Sequence, residues 1–138
     1  MTDLLSHVLV PVVNEDDARS TARALEAYAP TAVTVLHVVE KGEGVPDKTP
    51  VEQSEEIAAA AYAAFREEFP DAATETRYAR DIVAAVFEAA ADLDASAVAF
   101  QPREGGFLTR LVTGNRTLEL VTTGDLPVVV LPGGDGGE

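Results

Sequence analysis

The run His7-Val8-Leu9-Val10-Pro11-Val12-Val13 constrains the fold of this chain more than any other stretch. It is apolar from residue to residue without alternation, the pattern of a strand covered on both faces in a parallel sheet. Parallel neighbours need long crossovers, and the sequence supplies helical segments for them. Asn14 follows at once as an N-cap, with Glu15, Asp16 and Asp17 in the first turn behind it. Ala18, Ala22, Leu25 and Ala29 then recur at helical spacing until Pro30 ends the segment.

The same grammar repeats along the chain. Ala32 to Val39 is apolar and rich in β-branched residues, a second strand, and its His37 reads as a packed core histidine rather than a metal ligand because His7 is the only other histidine. Glu40 to Thr49, with Gly42, Gly44 and Pro46, marks a surface loop. Thr49-Pro50-Val51-Glu52 combines an N-cap, a proline at the first helical position and a reciprocal acid. The helix it opens runs to about Glu68 with Ile57, Ala61, Ala64 and Phe65 on one face, before Phe69-Pro70. Ala73 to Ala79 alternates Thr74, Thr76 and Tyr78 with Glu75 and Arg77, a half-exposed strand near a sheet edge. Asp81 caps a third helix with Ile82, Val86, Ala89 and Leu93 as its stripe, and Ala95 to Phe100 forms a buried strand. A last short strand, Leu126 to Leu131, is bracketed by Pro127 and Pro132, and Gly133 to Glu138 is a polar tail expected to be disordered. Strands alternating with helices at these intervals define an α/β domain with a parallel sheet, spanning residues 1–132.

Composition narrows the function. No run is long enough to span a bilayer and no signal pattern opens the chain, so a cytoplasmic protein without membrane insertion is expected. The absence of cysteine removes disulfides and thiolate chemistry. Formal charge is −14, yet 46% of residues are hydrophobic, so the chain should fold. Lys41 and Lys48 are the lysines, against 8 arginines among 10 basic residues, a balance that resembles proteins adapted to high intracellular salt. Such acidity opposes nucleic acid as a partner.

Against that acidic background, Gln101 to Thr117 carries Arg103, Arg110 and Arg116 with Glu104 alone opposing them. A strand, a loop containing Gly105 and Gly106, and a helix opening at Gly114-Asn115-Arg116-Thr117 and reaching about Thr122 make a setting for an anion. The arginines can serve as phosphate ligands or pair with surface carboxylates; both readings stand on the residues alone. Ligands of such sheets bind beyond the strand carboxyl ends where strand order reverses. If the first and fourth strands flank that point, Val13-Asn14 and the arginine loop face one crevice. Glu15, Asp16 and Asp17 would repel a phosphate placed at the first helix start.

The order of elements, the Val10-Pro11-Val12 strand end, the Leu36-His37-Val38-Val39 strand and the closing Leu126-Pro127-Val128-Val129-Val130 strand together resemble the universal stress protein family from about His7 to Pro132. The resemblance implies an open, Rossmann-like sheet of five parallel strands, order 3-2-1-4-5, with helices on both faces. It also implies a homodimer, and membership of either an ATP-binding branch or a branch that does without ATP. The ATP-binding pattern is Gly, two residues, Gly, nine residues, then Gly followed by Ser or Thr. Aligned on Gly114, it puts Gln101 and Glu104 at the first two glycines and Asn115 at the hydroxyl, while Val13 stands where that branch has an aspartate. A nucleotide or anion site, for ATP or another adenine nucleotide, would then comprise Val12, Arg103, Arg110, Gly114, Asn115 and Arg116.

The leading expectation is a non-enzymatic stress-response or regulatory protein acting as a homodimer or through a protein partner. Val128, Val129 and Val130 form its candidate dimer edge, since a short apolar strand between prolines suits the end of a sheet. An alternative is a nucleotide- or anion-binding module built on the 101–117 loop. The resemblance adds a third, a regulatory partner of a membrane transporter. An enzyme is not expected: the sequence carries no P-loop lysine motif, no Ser-His-Asp arrangement and no metal cluster.

Overall fold

A computed structural model of the chain describes residues 5–40, 51–101 and 126–131. In chain order these form β1 (Val8–Pro11), α1 (Glu15–Glu26), β2 (Val33–Glu40), α2 (Val51–Arg66), β3 (Ala73–Ala79), α3 (Ile82–Asp92), β4 (Ala97–Phe100) and β5 (Val128–Val130). The strands make one five-stranded sheet in the order β3-β2-β1-β4-β5, and every pairing is parallel. Strand order reverses between β1 and β4.

The apolar run of β1 is explained by its central place. Val8, Val10 and Val12 pack into a core with Ala18, Ala22 and Leu25 of α1 and Ala61, Ala64 and Phe65 of α2. Leu9, between them in sequence, packs into a second core with Ile82, Val86 and Ala89 of α3. Successive side chains of a strand point to opposite faces, so α1 and α2 cover one face and α3 the other. Each large apolar side chain buried this way contributes about 1.5–3 kcal/mol. The alanines of α1, α2 and α3 keep the helix backbones close to the sheet.

Local signals in the sequence set most element ends. The Asn14 side chain accepts from the Asp17 N–H at 2.8 Å and starts α1. Asp81 does the same for α3 through the Ala84 N–H at 3.1 Å. Beyond α3 the Ala95 N–H reaches the Ala90 carbonyl and the Asp94 N–H reaches Ala91, a Schellman closure that puts Asp94 at φ 57 where glycine is usual. Arg66 donates twice to the Ala72 carbonyl, at 2.9 and 2.7 Å, and fastens the turn from α2 into β3.

The structure departs from the sequence reading in three places. Helix α1 stops at Glu26, and Ala29 lies beyond it, exposed and at φ 49, so it does not extend the buried stripe. In α2 the stripe Ala61, Ala64 and Phe65 is buried as predicted and Ala58 joins it, but Ile57 is only half-buried and the helix ends at Arg66. Strand β4 begins at Ala97, because the Ser96 N–H and Oγ both turn to the His7 carbonyl. Strand β3 is the half-exposed edge strand its alternation predicts, and its more covered side is the charged one, Glu75 and Arg77, while Thr74, Thr76 and Tyr78 are exposed. The reason is Asp92 of α3, which meets the Arg77 guanidinium at 2.9 Å. The expected N-cap at Thr49 and Pro50, the helix from Gly114 and the tail lie outside the described residues.

Candidate functional site at the switch point

The carboxyl ends of β1 and β4 meet where strand order reverses, the place at which sheets of this kind open to ligands. Just after β1, Val12 is 2% exposed, with its side chain in the core under α1 and α2. Its N–H donates to the Leu36 carbonyl at 2.9 Å. Its carbonyl faces His37 Nδ1 at 3.1 Å, and since a carbonyl only accepts, that nitrogen carries the proton. His37 is therefore the packed core histidine its strand context predicts.

One residue further, the β1–α1 corner satisfies its own donors. The Val13 N–H donates to Asp17 Oδ2 at 2.9 Å, while the Asp17 N–H donates to Asn14 Oδ1. Asp17 is 2% exposed and also accepts from Thr21 Oγ1 at 3.4 Å. A helix start offers an anion its unpaired N–H groups. Here the Val13 and Asp17 N–H groups already serve side chains of the same corner.

Charge outside the corner points the same way. Glu15 and Asp16 are exposed, and Arg19 answers them at 3.1 and 4.0 Å while also reaching Glu67, just after α2, at 3.4 Å. The hydrogen bond it donates to Glu67, then that to Glu15, holds the Arg19 pKa above its ordinary value. The guanidinium is committed to carboxylates, so this wall of the crevice presents acid rather than cation to an incoming phosphate.

On β4 the strand closes with Gln101, buried at 1% exposure. Ser20 Oγ of α1 donates to its Oε1 at 2.5 Å, across 81 residues of sequence. Neither this bond nor the inward turn of Asp17 was read from the sequence. The Asn14-x-x-Asp17 spacing is a capping-box signal that could have shown the second; a single glutamine after an apolar run carries no signal for the first.

Of the residues proposed for a nucleotide or anion, Val12 lies at the switch point but buries its side chain. Arg103, Arg110, Gly114, Asn115 and Arg116 lie outside the described residues. Val128, Val129 and Val130 form β5 at the end of the sheet, with Val130 57% exposed. Among the described residues no cluster of three metal-ligating side chains occurs, and no helix is long and apolar enough to cross a membrane.

A parallel sheet of order 3-2-1-4-5 between helical layers, with its switch point at β1 and β4, belongs to the Rossmann-like α/β class. Within it, solved structures similar to this chain include universal stress proteins. One from Burkholderia pseudomallei superposes with a TM-score of 0.64 at 18% identity, covering 96% of this chain and 99% of the other. UspA from Lactobacillus plantarum gives 0.60 at 20% identity over 94% and 99%. The Archaeoglobus fulgidus protein, solved in complex with dAMP, gives 0.61 at 19% identity over 94% and 99%. No protein-family model matches the sequence, and no curated protein matches it either. The likeness is one of fold.

Proposed function

We propose that this chain is a universal stress protein-like, non-enzymatic regulatory protein of the stress response that acts as a homodimer through β5. The carrying observation is the edge itself: three valines at the end of the sheet, with Val130 57% exposed. The Leu131 N–H and the Pro127 carbonyl bond to β4, so strand alternation turns the backbone groups of Val128 and Val130 outward. Exposed backbone groups on an apolar strand are a template for a second copy. Sedimentation velocity at micromolar protein in about 2 M KCl, where charge repulsion is screened to a few ångströms, should give a dimer. Monomer alone at every salt concentration would overturn the reading.

A second reading, an adenine nucleotide or anion bound at the switch point, is favoured by the dAMP complex of the Archaeoglobus fulgidus protein. In it, Arg103, Arg110 and Arg116 would supply the cationic side that the β1–α1 corner lacks. Calorimetric titration with ATP, ADP and AMP tests it: loss of binding in an Arg110→Ala, Arg116→Ala double variant supports it, and unchanged affinity refutes the assignment. The acid-walled, self-satisfied corner supports the first reading.

A further inference from the structure

We propose that Gln101 is a specificity-determining residue of the switch-point crevice: its carboxamide, latched to Ser20, fills the α1 side of the gap between β1 and β4 and shuts out adenine nucleotides. The inference deepens the protein-contact reading above. The two fail separately, because dimerisation is read by sedimentation and exclusion by calorimetry.

Position comes first. β1 and β4 pair at Val8↔Ala97 and Leu9↔Val98, and Val12 and Gln101 each follow three residues further along, past the strand ends that flank the reversal. Val12 and Ala99 both belong to the core under α1 and α2, and strand alternation sends the side chain of Gln101 to that same face. The Ser20 contact confirms the direction.

Chemistry comes second. Packing alone would favour an apolar side chain here, as at Ala97 and Ala99, since a buried amide pays desolvation unless its polar atoms are bonded. What the amide adds is a tie. It joins the end of β4 to the second turn of α1 beside the reversal of strand order, and Ser20 stands within that turn to donate to it. With Val12 buried beside it and Asp17 bonded to the Val13 N–H, the described floor of the crevice is filled by the chain's own side chains.

AMP is the probe, titrated calorimetrically into the full chain and into two variants whose folding is checked by circular dichroism. Gln101→Gly removes the filling group; Ser20→Ala keeps it but releases the latch, at a helix position where alanine is well tolerated. AMP should bind Gln101→Gly at least about tenfold more tightly than the parent, and Ser20→Ala about threefold more tightly, differences of roughly 1.4 and 0.6 kcal/mol. A merely structural role predicts loss of stability in both and a gain of affinity in neither. Equal AMP affinity in the parent and the folded variants overturns the proposal, as does micromolar AMP binding by the parent. Should Gln101→Gly fail to fold, Ser20→Ala decides alone: tighter binding supports the latch and unchanged binding overturns it.

Discussion

The sheet has two ends, and they are finished differently. At one, β3 runs seven residues, pairs along its whole length with β2 and carries charge on its more covered side. Arg77 links Glu75 at 2.7 Å to Asp92 at 2.9 Å, and the Tyr62 hydroxyl of α2 donates to the Glu75 carbonyl at 2.6 Å. At the other, β5 is three valines long and carries no charge. Charged side chains on an edge strand discourage pairing with another chain, while a short apolar edge invites it. The contrast teaches that a charged end guards its backbone groups while the apolar end leaves them open, which is why the proposed dimer contact is assigned to β5.

Breaking the apolar end should have the largest effect. A Val130→Lys variant, at the exposed valine, should weaken the dimer at least about tenfold, or roughly 1.4 kcal/mol, by placing like charges across a two-fold contact. Sedimentation equilibrium reads the constant, and circular dichroism should report the fold intact. The charged end should respond in stability and not in assembly. Tyr62→Phe removes a hydrogen bond to the β3 backbone and should cost about 1 kcal/mol in chemical denaturation, with the dimer constant unchanged. A dimer that loosened with Tyr62→Phe would place the contact at the wrong end of the sheet.

The smallest effect expected concerns acid crowding on the face shared by α1 and α2. A hydrogen bond to Glu68, then its charge, raises the Glu26 pKa above the usual carboxylate value. A raised pKa means the folded state holds the proton more tightly than the unfolded one. Stability from the pair is therefore full below the ordinary carboxylate pKa and is lost as pH rises through the raised value. Glu26→Gln should remove that loss and melt slightly above the parent at neutral pH, with the difference closing on acidification. Added salt should raise the parent's melting temperature, since the formal charge is −14. A melting temperature indifferent to salt between roughly 0.1 and 2 M would remove the salt-adaptation reading.

What was legible in the sequence was local or periodic. The continuous apolar runs of β1 and β4, the caps Asn14 and Asp81 and the alanine-rich helices each announce themselves within a few residues, because hydrogen-bonding and burial patterns of that range fix them. The strand order followed from the family resemblance and agrees with the sheet. What was not legible depended on distant partners. Arg77 turns toward α3 because Asp92 stands 15 residues away, and Gln101 is buried because Ser20 stands 81 residues away. The left-handed turn at Ala29 has no glycine to signal it. Arg103, Arg110 and Arg116 of the 101–117 loop lie outside the described residues.

The most direct test of the central claim is amide hydrogen exchange on concentrated and dilute protein in about 2 M KCl, conditions that screen repulsion and separate dimer from monomer. Slower exchange at Val128 and Val130 in the concentrated sample, with the amides of residues 73–79 unchanged, is the result predicted. Slowing along 73–79, or at neither edge, would contradict the assignment of β5 as the face that meets a second copy.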